Sequence, residues 1–471
     1  MLTYSFANLN GESMYTHLYS CIKADITSGV LHAGDKLPSK RMLAKNLGIS
    51  IITVENAYAQ LLVEGYIYSE PKRGYYVARI EQMPSTTEPP APREPLLHAS
   101  APAIFASFSK SSVPPDTFPY NIWARLLRST LSSADEHALI SDTSAGGVLP
   151  LRQVLARHLY QFRGLNVAPE QIIIGAGTQT LYNLIVQLLG RSHVYALENP
   201  GYPQLAAIYK TNDVFCRYLP MDEQGIRADV LENSGADILH ISPSHQFPTG
   251  IVMPVSRRYE LLRWAKEKSS RYIIEDDYDC EFRLYGRPIP PLQSIDSAEK
   301  VIYINTFSKT LAPTFRISYM VLPAHLASLF YEKLGFYSCT VSNFEQFTLA
   351  KFIEDGYFER HINRMRTYYR TKRDRLLHYL ATCKAAPALT VEGENSGLHF
   401  LLHLATQASD TTLTQAALAQ GIQIKFLSDY YHDKTSDRSH TLLMNYTGLP
   451  DDELYPALDA LFSALVPYLE L

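Results

Sequence analysis

The 471-residue sequence is poor in the features that would place it in several large classes of protein. Its five cysteines, Cys21, Cys216, Cys280, Cys339 and Cys383, are scattered and odd in number. None falls in a C-x-x-C pattern, which argues against a disulfide framework or a zinc site and fits thiols kept reduced in a cytoplasmic setting. No run of about 18 apolar residues occurs, so no membrane-spanning helix is expected. The first residues, "MLTYSFANLNGESMYTHLY", lack a basic stretch followed by an apolar one, so no secretory signal is expected. There is no excess of positive charge: the net charge is −4, which does not mark the whole chain as a nucleic-acid binder.

What is present is an ordinary globular composition, 46% hydrophobic and 19% charged, over a length that suggests more than one domain. The charge is unevenly spread. Residues 1–80 carry eight Lys/Arg against six Asp/Glu, and the remainder carries 35 against 41. A Pro-rich stretch, "EQMPSTTEPPAPREPLLHASAPA", follows residue 80. Proline cannot donate to a strand ladder and biases its predecessor to extended geometry, so this stretch reads as a semi-rigid linker. The expected organisation is an N-terminal domain (1–80), a linker (81–104) and a large domain (105–471).

In the N-terminal part, Leu18, Ile22 and Ile26 recur at i, i+4, i+8 and predict one helix with an apolar face. Ser39 can cap a second helix carrying Leu43, Ala44 and Leu47 and ending at Gly48. Ser50 can cap a third, with Val54, Ala57, Tyr58 and Leu61 facing inward and Gly65 ending it. Two short capped helices across a Gly-containing turn make a helix-turn-helix, and the hairpin "YIYS…EPKRG…YYVA" makes a wing. The third helix would enter the major groove, with Ile51, Ile52, Thr53 and Asn56 at its outer face. Ser39, Lys40, Arg41 and Ser50 at helix starts, and Lys72, Arg73 and Gly74 at the wing tip, suit phosphate or minor-groove contacts. The segments "GDKLPSKRMLAKNLGIS", "TVENAYAQLLVEGYIY" and "KRGYYV" resemble the winged helix-turn-helix of the GntR family, with Ile51 where members often have arginine. A three-helix module that binds no DNA is the alternative.

The large domain alternates strand-like runs with helix-length stretches. "IIIG" (172–175), "HVYAL" (193–197), "DILHIS" (237–242), "RYIIED" (271–276), "VIYINT" (301–306) and "SYMVLP" (318–323) read as strands. Thr178–Leu189 and Val255–Lys268 read as helices. Such alternation predicts an α/β domain built on a mostly parallel sheet. Its ligands would collect at the carboxyl ends of the strands.

"NTFSKTLAPTFRISYMVLP" places Lys309 among hydroxyl side chains with Arg316 seven residues on. Lys309 alone could be a surface charge. A buried lysine, though, loses its proton more readily and can attack an aldehyde, and an arginine fork can hold a phosphate. "IIIGAGTQTLYNLI" adds Thr178 and Gln179 at a helix start suited to phosphate. "RYIIEDDYDCEF" adds Asp276 and Tyr278 at a strand end; taken alone it could equally be a solvated acidic loop or a divalent-metal site. "LENPGYP" adds Tyr202, able to stack on a flat ring. A phosphate site, an aldehyde-seeking amine, a carboxylate for a pyridine nitrogen and a tyrosine for a phenolic oxygen together describe pyridoxal 5′-phosphate, PLP.

Residues from about 105 to 470 resemble fold-type I aminotransferases. The carrying motifs are "FPYNIWARLL", "GGVLPLRQVLARHL", "GAGTQTLYNLI", "ENPGYP", "SPSHQFPTGIVMP", "IIEDDYDCEF" and "NTFSKTLAPTFRISYMVLP". The resemblance implies that Lys309 links to PLP, Asp276 pairs with the ring nitrogen, Tyr278 bonds the phenolic oxygen and Tyr202 stacks on the ring. It also implies that Thr178, Gln179, Thr306, Ser308 and Arg316 hold the phosphate. Gln246 is expected near the phenolic oxygen, and Arg438 is a candidate clamp for a substrate carboxylate. No resident metal is expected.

A GntR-type reader joined to such a domain resembles the MocR subfamily of regulators. That resemblance implies a homodimer that binds a double-stranded operator and senses a small amine, an amino acid or PLP itself. The alternative is a working aminotransferase with a self-regulating DNA-binding domain.

Overall fold

The computed structural model describes residues 2–6, 9, 11–80, 104–109, 113–114, 117–133, 136–284, 289–395, 397–433 and 439–471. The chain divides into two compact units, Met1–Ser100 and Ala101–Leu471. The Pro-rich linker expected at 81–104 lies almost wholly outside the described residues.

In the first unit, α1 (Met14–Thr27), α2 (Lys40–Leu47) and α3 (Ile51–Val63) are followed by the hairpin β1 (Ile67–Glu70) and β2 (Gly74–Val77). The capping serines act as their positions predict. Ser39 Oγ accepts the Met42 N–H at 3.3 Å, and Ser50 Oγ accepts the Thr53 N–H at 3.0 Å. Each satisfies a helix donor that has no partner within the helix. Gly48 ends α2 in the left-handed region, at φ 67°. The helix α3 stops at Val63, one residue before its cap Glu64, and Gly65 follows at φ 76°. Leu18, Ile22, Leu43, Val54, Ala57, Tyr58 and Leu61 are fully buried together and form this unit's own core.

The second unit begins with the short strand β3 (Ala106–Ser107) and is organised by an eight-stranded sheet. Its strands in chain order are β4 (Ile172–Gly175), β5 (Val194–Asn199), β6 (Phe215–Asp222), β7 (Gly225–Ile226), β8 (Ile238–Ile241), β9 (Tyr272–Asp276), β10 (Val301–Thr306) and β11 (Ser318–Val321). They lie in the order β4-β11-β10-β9-β8-β5-β6-β7. The five strands from β10 to β6 run parallel, whereas β11 runs antiparallel to both its neighbours and β7 antiparallel to β6. β4, β8, β10 and β11 are buried along their whole length, as a sheet covered on both faces requires, and this explains their mainly apolar sequences.

Two strands of this sheet, β6 and β7, escape the sequence pattern. The residues of β6, "FCRYLPMD", are exposed or half-buried except Leu219 and include Pro220, because on one side it is covered only by the two-residue strand β7. After the sheet come β12 (Leu389–Glu392), β13 (His399–Leu404), β14 (Ile422–Gln423) and β15 (Thr441–Asn445). β12, β13 and β15 form an antiparallel sheet, and β14 pairs with β3.

Candidate functional site

The parallel strands β5, β8, β9 and β10 end on one side of the sheet, and a cavity of about 900 Å³ opens there. Nine of the residues singled out in the sequence line it: Thr178, Gln179, Tyr202, Asp276, Tyr278, Thr306, Ser308, Lys309 and Arg316. Residues separated by more than a hundred positions thus meet at the carboxyl ends of the strands, the usual ligand position in open α/β sheets.

Lys309 is half-buried just beyond β10. Burial lowers the pKa of its ammonium, against the opposing pull of the nearby Asp279 and Asp276 carboxylates. Asp276 ends β9. Its Oδ2 accepts the hydroxyl of Tyr182, and His240 Nε2 lies 3.8 Å from the same oxygen. Its Oδ1 is buried with no hydrogen-bond partner. A buried carboxylate oxygen left bare is costly, and it marks a place where a donor from a ligand would be welcome.

The same lining brings a helix start and a guanidinium together. Thr178 and Gln179 open the helix Thr178–Leu189, whose first N–H groups have no partner within the helix. Gly177 precedes them at φ 88°, and a Cβ there would lie 2.4 Å from Arg316 Nη2. Only glycine lets that guanidinium approach. Arg316 itself takes a left-handed backbone, φ 51°, and donates from Nη2 to the Ala176 carbonyl at 3.3 Å. Thr306 Oγ1 accepts from Ser318 Oγ at 2.8 Å and from Ser308 N at 3.1 Å, which fixes the turn leading into Lys309.

One of the expected site residues stands elsewhere. Gln246 is buried but does not line the cavity. Its amide donates to the Pro200 carbonyl at 3.0 Å and the Phe247 carbonyl at 2.7 Å, and its Oε1 accepts from Thr249 N at 3.0 Å, so the side chain is consumed in tying its own loop to the turn after β5. The neighbouring Phe247 lines the cavity instead. Arg438 lies outside the described residues.

Several lining residues were not singled out in the sequence, although Glu198 opens the segment "ENPGYP". Glu198, at the end of β5, has a buried and unpartnered Oε1. Burial raises its carboxyl to about 8. His240 is a buried polar residue in the middle of the apolar run "DILHIS", a signal visible in the sequence. His399, Lys425 and the pair Tyr218–His432, whose rings stack at 3.5 Å, also line the wall and give no such signal. Among the described residues no group of three or more His, Cys, Asp or Glu could hold a metal ion, and no helix is long and apolar enough to cross a membrane.

In the first unit, Ile51, Ile52 and Asn56 stand exposed along α3. Ser50 and Thr53 are tied to each other through their hydroxyls at 2.8 Å. Lys40 Nζ lies 2.6 Å from Glu55, whereas Arg41 is exposed. At the wing tip Lys72 (φ 64°) and Gly74 (φ 118°) turn the chain, and Arg73 is 3.3 Å from Glu70.

Two family models match: bacterial regulatory proteins of the gntR family over residues 14–77, and aminotransferase class I and II over residues 130–452. The chain is 30% identical over 473 residues to the probable rhizopine catabolism regulatory protein MocR of Rhizobium meliloti, covering 96% of this chain and 94% of that protein. The chain belongs to the MocR-like subfamily of GntR regulators.

As a MocR-like chain it is also 37% identical, over 96% of both proteins, to the HTH-type transcriptional regulator YdeL of Bacillus subtilis. Its large unit shares the fold of the kynurenine aminotransferase of Pyrococcus horikoshii, at a TM-score of 0.68 and 24% identity, with 78% of this chain and 92% of that one covered. The MocR-like architecture makes the protein a DNA-binding transcriptional regulator with an aminotransferase-like fold.

Proposed function

We propose that the large unit binds PLP and that the regulator uses it to detect a small amine or amino acid. The observation that carries this reading is the bare, buried Oδ1 of Asp276 in the same cavity as the Lys309 amine. Bound there, PLP would supply an electrophilic aldehyde able to exchange one amine partner for another. Lys309, with its lowered pKa, presents an amine to that carbon. Asp276 would hold a proton at the ring nitrogen, with the Tyr182 hydroxyl fixing the carboxylate's position. Tyr278 would donate to the phenolic oxygen and Tyr202 would cover the ring face. Thr178, Gln179, Thr306, Ser308 and Arg316 would hold the phosphate against the helix start. The residual volume of the cavity is space for the effector.

In the first unit, Asn56 with Ile51 and Ile52 would meet base edges, and Arg41, Lys72 and Arg73 the phosphates. A two-fold homodimer would match paired half-sites on the operator.

The purified protein should bind PLP with a visible absorbance band that is absent in Lys309→Ala. No band in the wild-type protein would refute the cofactor reading. Footprinting upstream of its own gene, with and without candidate amines, tests the regulatory role. Rapid multiple turnover of amine donors without operator protection would favour a working aminotransferase.

A further inference from the structure

Behind Tyr278 lies a buried pair that decides where its hydroxyl proton can point. His245, in the loop after β8, and Asp279, three residues past the end of β9, meet at 2.7 Å between Nδ1 and Oδ2. The same Nδ1 is 3.3 Å from the Tyr278 hydroxyl. An imidazole nitrogen that close to a carboxylate carries the hydrogen and donates it. This holds for the neutral ring and for the protonated one. Nδ1 therefore has no lone pair to offer Tyr278. The tyrosine oxygen can share the Nδ1 hydrogen as an acceptor, but its own proton is left for the cavity that Tyr278 lines.

The pair is clamped from the other side by the start of β13. A Cβ on Gly397 would lie 2.5 Å from His245 Cε1 and 3.0 Å from Asp279 Oδ2. The His399 ring packs on His245 with centroids 4.8 Å apart. Burial, followed by the neighbouring His245, pushes the pKa of His399 well below its ordinary value, so it adds no charge beside the pair. His245 Nε2 is buried without a partner, so no second acceptor competes for the ring's orientation.

We propose that Asp279 and His245 are positioning residues: together they hold the ring with Nδ1 as donor, so that Tyr278 must give its own hydrogen bond to the phenolic oxygen of PLP. This rests on the reading that PLP occupies the cavity with that oxygen facing Tyr278. The logic is that of an aspartate fixing a histidine tautomer in a hydrolase triad, applied one residue further out. Tyr278 also feels the carboxyl groups of Asp279, Asp276, Glu198 and Asp277, and it shares the cavity with Lys309. The variants below retain all of these charges.

The full-length protein loaded with PLP is compared as wild type, His245→Asn and His245→Leu, each alone and combined with Tyr278→Phe. The readouts are PLP affinity and the pH midpoint of the visible band. In His245→Asn an amide nitrogen takes roughly the place of Nδ1 and still donates to Asp279. His245→Leu should weaken PLP binding about tenfold. It should also raise the midpoint by about one pH unit, because a donor on the phenolic oxygen favours the more anionic, deprotonated state. His245→Asn should stay close to wild type on both readouts. In the Tyr278→Phe background His245→Leu should add nothing.

A His245→Leu effect that persists undiminished with Tyr278→Phe, or no effect at all beside a normal wild-type band, overturns the positioning role alone. A wild-type protein with no visible band overturns the PLP reading and this inference with it.

Discussion

Arg316 packs so closely on Gly177 that the two act as one feature, an arginine fork folded over a helix start with no room for a side chain between them. Gly177→Ala would force a Cβ into the guanidinium and strain a backbone at φ 88°. The expected outcome is PLP binding weakened by at least tenfold, measured by absorbance titration. Stability should also fall by about 1–2 kcal/mol, measured by urea unfolding. An unchanged affinity would remove Arg316 from the phosphate site.

Tyr182 lines the cavity beside Asp276, and its hydroxyl donates to that carboxylate. Tyr182→Phe should cost about 1.5–3 kcal/mol of stability, since the bond is to a charged group. It should also weaken PLP binding, because Asp276 is then free to turn. Thermal unfolding with and without PLP separates the two effects.

Glu198 provides a pH test on the ligand-free protein. Burial raises its carboxyl to about 8, against 4.5 for an ordinary glutamate. Between those values the folded state holds a proton that the unfolded state has lost. Its contribution to stability is therefore fully present below about pH 4.5 and is lost as pH rises through about 8, at a rate on the order of 1.4 kcal/mol per pH unit. Glu198→Gln should flatten the fall in stability between pH 5 and 8. Parallel curves for the two proteins, measured by denaturant unfolding across that range, would contradict the raised pKa.

The DNA-reading unit separates into stability and recognition. Ser50→Ala removes the cap on α3 and should lower the unit's stability by about 1 kcal/mol. Lys72→Ala and Arg73→Ala should each weaken operator binding evenly across sequences and reduce the salt slope by about one. Asn56→Ala should instead relax sequence preference by about 1–3 kcal/mol at one base pair. Fluorescence anisotropy at several salt concentrations, on operator and scrambled DNA, distinguishes these outcomes.

Much of this was legible in the residues. Ser39, Gly48 and Ser50 announce helix ends through their own hydrogen bonds and backbone freedom, so α2 begins and ends where expected. The buried strands β4 and β10 read as strands because burial on both faces makes them mainly apolar. β6 did not, since a place beside the two-residue edge strand β7 lets it carry exposed residues and a proline. Within the site, Lys309, Asp276 and Arg316 stand in motifs, and the fold gathers them. Gln246 lies one residue before the side chain that reaches the cavity, Phe247, and loop geometry rather than composition decides that step. His245, Asp279 and His399 become a cluster only when β13 crosses behind the loop after β8. That relation joins residues more than 150 positions apart and has no local signature.

The wall of the cavity is drawn from residues as far apart in the chain as Ser109 and Asn445, while the core of the DNA-reading unit is complete by Val77. Synthesis from the N-terminus therefore finishes a reader hundreds of residues before it finishes a receptor. A ribosome that stops early would release the DNA-reading unit with its core complete and the cavity unbuilt.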